Sequence, residues 1–346
     1  MTLSVDSIEK ILVIRFSSIG DILLVSPLLR VLHARFPNAE IDFLVKKRFA
    51  DLVRYNPYVT QVFEFDEKRG LRDLRIHKEK IKNSHYDLLI DIHKNFRSAY
   101  VRYGAGARYV ATYSKMRWPR FVLIITKLNM YPRLLSIYKR YLLSVADFGV
   151  QDDNQGLDIF FPDEYRVSAH KTLLENGFQN KKLKIGLAPG AGYFTKRWLP
   201  EYYAELADKL AEDLNAEILL FGDRNDLCIT RLITRQMNTP AIDMAGELSI
   251  LETVAALERC DVLVCNDTGL MHIGCALKKK VVAVFGPTTE ELGFFPVGEN
   301  ARVVQTDISC RPCSHVGSKR CPRGHFKCMK EITPNMVFEE IQQIIK

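Results

Sequence analysis

Three clusters in this chain combine residue types and spacings suited to an anionic substrate. The first runs from Val262 to Thr288, VLVCNDTGLMHIGCALKKKVVAVFGPT. An apolar strand enters an Asp267-Thr268-Gly269 turn that opens a small-residue helix carrying His272. A second apolar strand follows and ends in Phe285-Gly286-Pro287-Thr288. The free N–H groups and positive dipole end of such a helix attract phosphate. His272 lies four residues after Thr268, on the same helix face; the competing role is that of a satisfied core histidine.

The second cluster is Pro189 to Trp198, PGAGYFTKRW. Gly190, Ala191 and Gly192 let backbone N–H groups approach a phosphate, and Lys196 can neutralise its charge. The third glycine of the dinucleotide fingerprint is replaced by Thr195, so that match is weak. The third cluster is Ser17-Ser18-Ile19-Gly20-Asp21. A carboxylate at that strand end can take a proton from an acceptor hydroxyl; capping the next helix is the alternative role for Asp21. Ser17 and Ser18 suit hydrogen bonds to a ligand or to the loop's own backbone. Gly222-Asp223-Arg224-Asn225-Asp226 closes another strand, and either aspartate suits a ribose or a base.

These clusters need strands that end at one level. Ile11–Phe16 is a continuous apolar run, as in a parallel sheet buried on both faces. Ile22 to Arg35 has helical periodicity. Further strands are expected at Ile41–Val45, Val62–Phe65, Asp87–Ile90 and Tyr109–Thr112. After the polar stretch Gln151 to Gly156, strands recur at Lys184–Ala188, Glu217–Phe221, Ala241–Met244, Asp261–Cys265 and Val281–Phe285. This alternation with helices predicts an α/β fold of two doubly wound domains.

The 346 residues suffice for two cores, and the 47% apolar and 26% charged fractions are those of a globular protein. No apolar run is long enough to cross a membrane, and MTLSVDSIEK has no secretory pattern, so a cytoplasmic location is expected. Residues 1–150 hold 26 Lys and Arg against 14 Asp and Glu, and the remainder 23 against 27. Ile92 to Ala146 carries eleven bases and no carboxylate, interleaved with aromatics. Such a block suits an anionic partner: a phosphorylated saccharide, a membrane surface or nucleic acid.

Cys310, Cys313, Cys321 and Cys328 form C-x2-C-x7-C-x6-C with His315 and His325 among them. They suggest a structural zinc site or a redox-sensitive pair, although the spacing fits no common zinc module well. No Asp-x-Asp motif occurs, which argues against a divalent-metal diphosphate site.

Together, Arg15-Phe16-Ser17-Ser18-Ile19-Gly20-Asp21, Lys196 before Arg197-Trp198, Asp267-Thr268-Gly269-x-x-His272, Phe285-Gly286-Pro287-Thr288 and the loop ending Cys328-Met329 resemble glycosyltransferase family nine, the ADP-heptose:lipopolysaccharide heptosyltransferases. The resemblance implies a GT-B architecture, two Rossmann-like domains facing a central cleft. It implies an N-terminal acceptor domain over 1–165 and a nucleotide-sugar domain over 166–332. A terminal helix over 333–346 would return to the N-terminal domain. It implies inverting, metal-independent transfer of L-glycero-D-manno-heptose from ADP-heptose to Kdo-lipid A or heptosylated core, with no cofactor.

By the same resemblance Asp21 is the general base and Lys196 the donor-phosphate lysine. Asp267, Thr268, Gly269 and His272 fall on donor-binding positions, as does Asp226, with Asp223 the alternative. Backbone near Leu248 would sit by the adenine. Ala191 and Gly192 stand where other members place hydroxyls, which leaves that work to backbone N–H groups. Ser17, Ser18, Gly20, Arg97, Arg117, Arg120 and Arg133 are the acceptor-side candidates. The basic block would hold the acceptor's anions and touch the inner membrane's cytoplasmic face. The alternatives are another nucleotide-sugar donor or acceptor and, more remotely, a nucleic-acid-binding protein. A nicotinamide enzyme is disfavoured, because Val45 leads into Lys46-Lys47-Arg48 with no acid there.

Overall fold

The computed structural model describes residues 8–180 and 183–346. Most of the amino-terminal stretch read for a secretory pattern lies outside the described residues. Contacts divide the chain into two compact units: residues up to Lys115 with Ile137–Phe161, and Met116–Ser136 with Pro162–Lys346.

In the first unit the apolar runs become β1 (Lys10–Ile14), β2 (Glu40–Lys46), β3 (Gln61–Phe65), β4 (Leu88–Asp91) and β5 (Tyr109–Thr112). They form one parallel sheet in the order β3-β2-β1-β4-β5. Ile11 to Ile14 are all fully buried, so the run shows no polar alternation. The helix expected over 22–35 is two helices, Ile19–Leu23 and Ser26–Arg35. Pro27 sits in the first turn of the second, where a missing N–H costs nothing. Arg30 forks onto Asp153 at 2.5 and 2.7 Å. That pair holds the polar stretch after Val150 to the first unit.

The second unit holds β6 (Lys184–Ala188), β7 (Glu217–Leu220), β8 (Ile242–Asp243), β9 (Val262–Asn266), β10 (Lys280–Val284) and β11 (Ala301–Val304). These are parallel in the order β11-β10-β9-β6-β7-β8. Trp198, fully buried, donates its indole N–H to Ile332 O at 2.9 Å and anchors the carboxyl end of the chain to this core.

Two placements bear on the domain bounds read from the sequence. The terminal helix Pro334–Ile345 buries Val337, Phe338 and Ile341 against the helix Pro200–Leu214, β10 and β11 of its own unit. That apolar face is buried within the second unit. Met116–Ser136, assigned by sequence to the N-terminal domain, groups with the second unit. Its helix Arg117–Thr126 buries Leu123, and the Lys127 ammonium donates to Ile124 O and Pro312 O at 2.6 and 2.7 Å.

Strand order fixes where sites form. In an open parallel sheet, ligands bind beyond the carboxyl ends of strands at the point where the winding reverses. In the first sheet that point is between β1 and β4, and in the second between β6 and β9.

Candidate active site

At the first switch point the chain leaves β1 through Arg15 to Ser18 and enters the helix Ile19–Leu23. One Asp21 carboxylate oxygen accepts from Ser18 N–H and Ser18 Oγ, both at 3.1 Å. The other lies 2.5 Å from Arg15 Nη2. Asp21 therefore does support its helix start, and it also faces a buried guanidinium. Arg15 is itself fixed by Ile92 O at 2.8 Å and Ser17 O at 2.9 Å, with Tyr141 beneath its plane. Burial alone would push the Asp21 carboxyl up; Arg15 and the Ser18 hydrogen bonds outweigh it and hold the carboxyl below its usual range. Asp21 is a carboxylate at neutral pH, free of the proton a base must accept.

From β4 the same point receives His93, which the sequence reading missed. Its ring meets Phe16 edge-on at 5.2 Å, and its buried Nδ1 has no hydrogen-bond partner among the described residues. Burial, with the cations Arg15 and Lys115 nearby, pushes its imidazole down to about 3. Asp91, buried and paired with Arg102 at 2.9 Å, accepts from His93 and Lys94 N–H and shapes this turn. The only sequence signal was position, two residues past a strand adjacent to β1.

At the second switch point a short turn, Phe194–Lys196, brings Lys196 Nζ to 2.6 Å from Asp267 Oδ2. The same oxygen accepts from Thr288 Oγ1 at 2.8 Å. Residues following β6, β9 and β10 thus converge on one buried carboxylate. Asn266 sews the first two together, donating to Pro189 O at 2.8 Å and accepting from Trp198 N–H at 3.0 Å. Thr268 precedes the helix Gly269–Ala276 without a side-chain cap bond, and its buried Oγ1 has no partner among the described residues. An unsatisfied hydroxyl and open first-turn N–H groups beside a lysine form an anion cradle. His272 is buried at 3% exposure, so Thr268 and Gly269 are the members of that helix start nearer the surface.

The glycine loop has one tight member and one open member. A Cβ on Gly190 would lie 2.3 Å from the Asp226 carboxyl carbon, whereas one on Gly192 meets nothing within 4 Å. Asp226 is therefore the aspartate brought against the loop, while Asp223 is exposed and accepts from Asn225. Burial pushes the Asp226 carboxyl up, and the N–H of Asp223 and the charge of Arg197 only partly offset this. Arg197 Nε closes the loop on Ala191 O at 2.9 Å. Leu248 is half-buried, just before the capped helix Ile250–Glu258.

On the acceptor side, Ser17, Ser18 and Gly20 surround Asp21 by sequence, and Arg97 is exposed beside Phe65 in the first unit. Arg117, Arg120 and Arg133 belong to the segment that packs in the second unit. There burial, with the nearby charges of Arg120 and Lys196, pushes the His315 imidazole below its ordinary value.

All eight cysteines are free thiols. Among the described residues no group of three or more His, Cys, Asp and Glu is placed to hold a metal ion. The loop instead braces the cradle. Ser318 N–H donates to Thr195 Oγ1 at 2.8 Å and Cys313 N–H to Pro287 O at 3.1 Å. Arg311 binds Thr288 O at 2.8 Å. A separate depression of about 690 Å³ is lined by Asp261, Lys278, Lys280 and Asn300. It lies at the amino ends of the strands, the edge away from these turns, and lacks the converging groups.

Residues 74–322 match the family model described as Glycosyltransferase family 9 (heptosyltransferase). Lipopolysaccharide heptosyltransferase 2 of Escherichia coli K12 is 27% identical, with 97% of this chain and 98% of that protein aligned. Lipooligosaccharide heptosyltransferase 2 of Campylobacter jejuni is 27% identical over 94% of this chain and 96% of its own. The structure of E. coli ADP-heptose lps heptosyltransferase II superposes with a TM-score of 0.76 at 26% identity, covering 97% and 98% of the two chains. A family 9 glycosyl transferase from Veillonella parvula gives 0.83 at 24% identity, covering 99% and 98%. Two doubly wound parallel sheets with these neighbours are the GT-B class of fold. The chain is an enzyme that belongs to glycosyltransferase family 9, the heptosyltransferases.

Proposed function

We propose that this enzyme transfers L-glycero-D-manno-heptose from ADP-heptose to the heptosylated inner core of lipopolysaccharide, with inversion and without a divalent metal. The observation that carries the reading is the cradle of Lys196, Asp267, Thr268 and Thr288 at a helix start. It supplies positive charge and N–H donors where a departing diphosphate needs them. The relatives aligned over nearly the whole chain bear the names of heptosyltransferase 2, which favours a heptose-bearing acceptor over Kdo alone.

Asp21 accepts the proton of the acceptor hydroxyl as that oxygen attacks the anomeric carbon. The attack comes from the face opposite ADP, and the bond from the anomeric carbon to the ADP oxygen breaks. Lys196 and the N–H groups at Gly269 take up the charge that builds on the leaving diphosphate. Asp226 hydrogen-bonds the ribose. The acceptor is lipid-linked, so the enzyme works at the cytoplasmic face of the inner membrane.

The test is ADP release in EDTA with ADP-heptose and either Kdo-lipid A or its monoheptosylated form. Turnover requiring the monoheptosylated acceptor supports the reading. Turnover with Kdo-lipid A alone reassigns the acceptor, and failure to bind ADP-heptose sinks the donor assignment.

A further inference from the structure

The excursion from Met116 to Ser136 has a surface that neither the cradle nor the Asp21 site uses. Trp118, Phe121 and Ile125 recur at steps of three and four, which places them along one side of the helix Arg117–Thr126, and Leu128 follows just past its left-handed end at Lys127. Leu123, on another side, is the helix's buried residue. The stripe is outside: Trp118 is 67% exposed, Ile125 64% and Leu128 65%. The Trp118 and Phe121 rings stack on each other at 6.0 Å, turned to solvent. Met130 and Leu134, each more than half exposed, follow in the same segment. Exposed apolar side chains gathered in this way on a globular protein mark an interaction site.

Its surroundings decide what covers it. Arg117, Arg120 and Arg133 flank the stripe, and no carboxylate occurs between Ile92 and Ala146. A second copy docked face to face would set cations against cations. Anionic headgroups neutralise the same cations while the acyl region takes the apolar side chains. Tryptophan suits that boundary, with an apolar body and a polar N–H.

We propose that residues 117–134 form an interfacial anchor that inserts Trp118, Phe121, Ile125 and Leu128 into an anionic lipid surface. Its role rests on the lipid-linked acceptor proposed above; its physical test does not. The anchor lies in the plane of the membrane. Among the described residues no helix is long and apolar enough to cross one.

The chain has two tryptophans, and Trp198 is fully buried, so a change in indole emission on adding vesicles reports Trp118. Vesicles of phosphatidylglycerol and phosphatidylethanolamine should shift emission to the blue and sediment the protein. Phosphatidylcholine vesicles should do neither, and salt should weaken binding. Replacing Trp118, Phe121 and Ile125 together by Ser should lower the partition coefficient by at least about tenfold, given the apolar area withdrawn. Turnover on a delipidated, water-soluble acceptor should stay at the wild-type level. Absence of vesicle binding, or undiminished binding by the triple variant, overturns the proposal. So does concentration-dependent dimerisation that the triple variant abolishes, which would assign the surface to a second copy. Vesicle binding by a protein that turns over no heptose acceptor would sink the transfer reading and leave the anchor standing.

Discussion

Lys196 and Asp267 lie 2.6 Å apart although 71 positions separate them, because β6 and β9 are neighbours in the second sheet. The side chains are 14% and 7% exposed, so the pair is shielded from solvent. A diphosphate entering the cradle competes with Asp267 for the ammonium.

Removing one partner therefore has two effects. Lys196→Ala leaves the Asp267 carboxylate buried without its cation, a loss of about 3–5 kcal/mol for such pairs. It should also abolish most ADP release. The double variant Lys196→Met/Asp267→Asn should recover much of the stability and none of the turnover. Urea unfolding beside an ADP-release assay separates the two, and a single variant as stable as wild type would refute the pairing.

Asp21→Asn keeps a side-chain oxygen that can still accept from Ser18, so the helix start survives. Turnover should fall by about 10²–10⁴-fold with donor affinity unchanged, as for loss of a general base. Calorimetric titration with ADP beside steady-state rates tests this. Turnover undiminished in the variant would remove Asp21 from the base role.

His93 sets a pH window for stability. Its folded pKa is depressed from 6.5 to about 3, so between those values the unfolded chain binds a proton that the folded chain does not. Stability is then complete above 6.5 and falls as pH drops toward 3. His93→Gln should flatten part of that slope in urea titrations at successive pH values. An unchanged slope would show that His93 titrates alike in both states.

The glycine loop gives a paired test. Gly190→Ala drives a methyl into the Asp226 carboxyl and should weaken ADP binding at least about fivefold, since overpacking of this kind costs about 1–3 kcal/mol. Gly192→Ala meets open space and should bind ADP as wild type does. Equal behaviour of the two would contradict the geometry.

Most strands were legible because they are apolar runs bounded by turn formers, and the glycine, lysine and Asp-Thr-Gly clusters follow strand ends by rule; β11 was missed because it is only partly buried and Arg302 interrupts its apolar run. The helix over 22–35 was overextended because apolar periodicity continues through Leu24 and Val25, where the backbone turns. The second-unit packing of 116–136 was not legible. Neither composition nor periodicity says which unit an excursion joins, and the contacts that hold it span long stretches of chain, such as Lys127 on the Pro312 carbonyl. His93 escaped for a related reason. Its chemistry depends on β4 lying beside β1, a pairing across 77 positions that one sequence does not display.

The chain passes between the two units three times, at residues 115–116, 136–137 and 161–162. During synthesis the five strands of the first sheet emerge by Thr112, before any of the second. Met116–Ser136 pack on a body whose strands begin at Lys184 and whose Pro312 carbonyl arrives 185 positions after Lys127. A nascent chain thus carries a basic, aromatic segment exposed for most of its translation, and no single cut yields two self-sufficient halves.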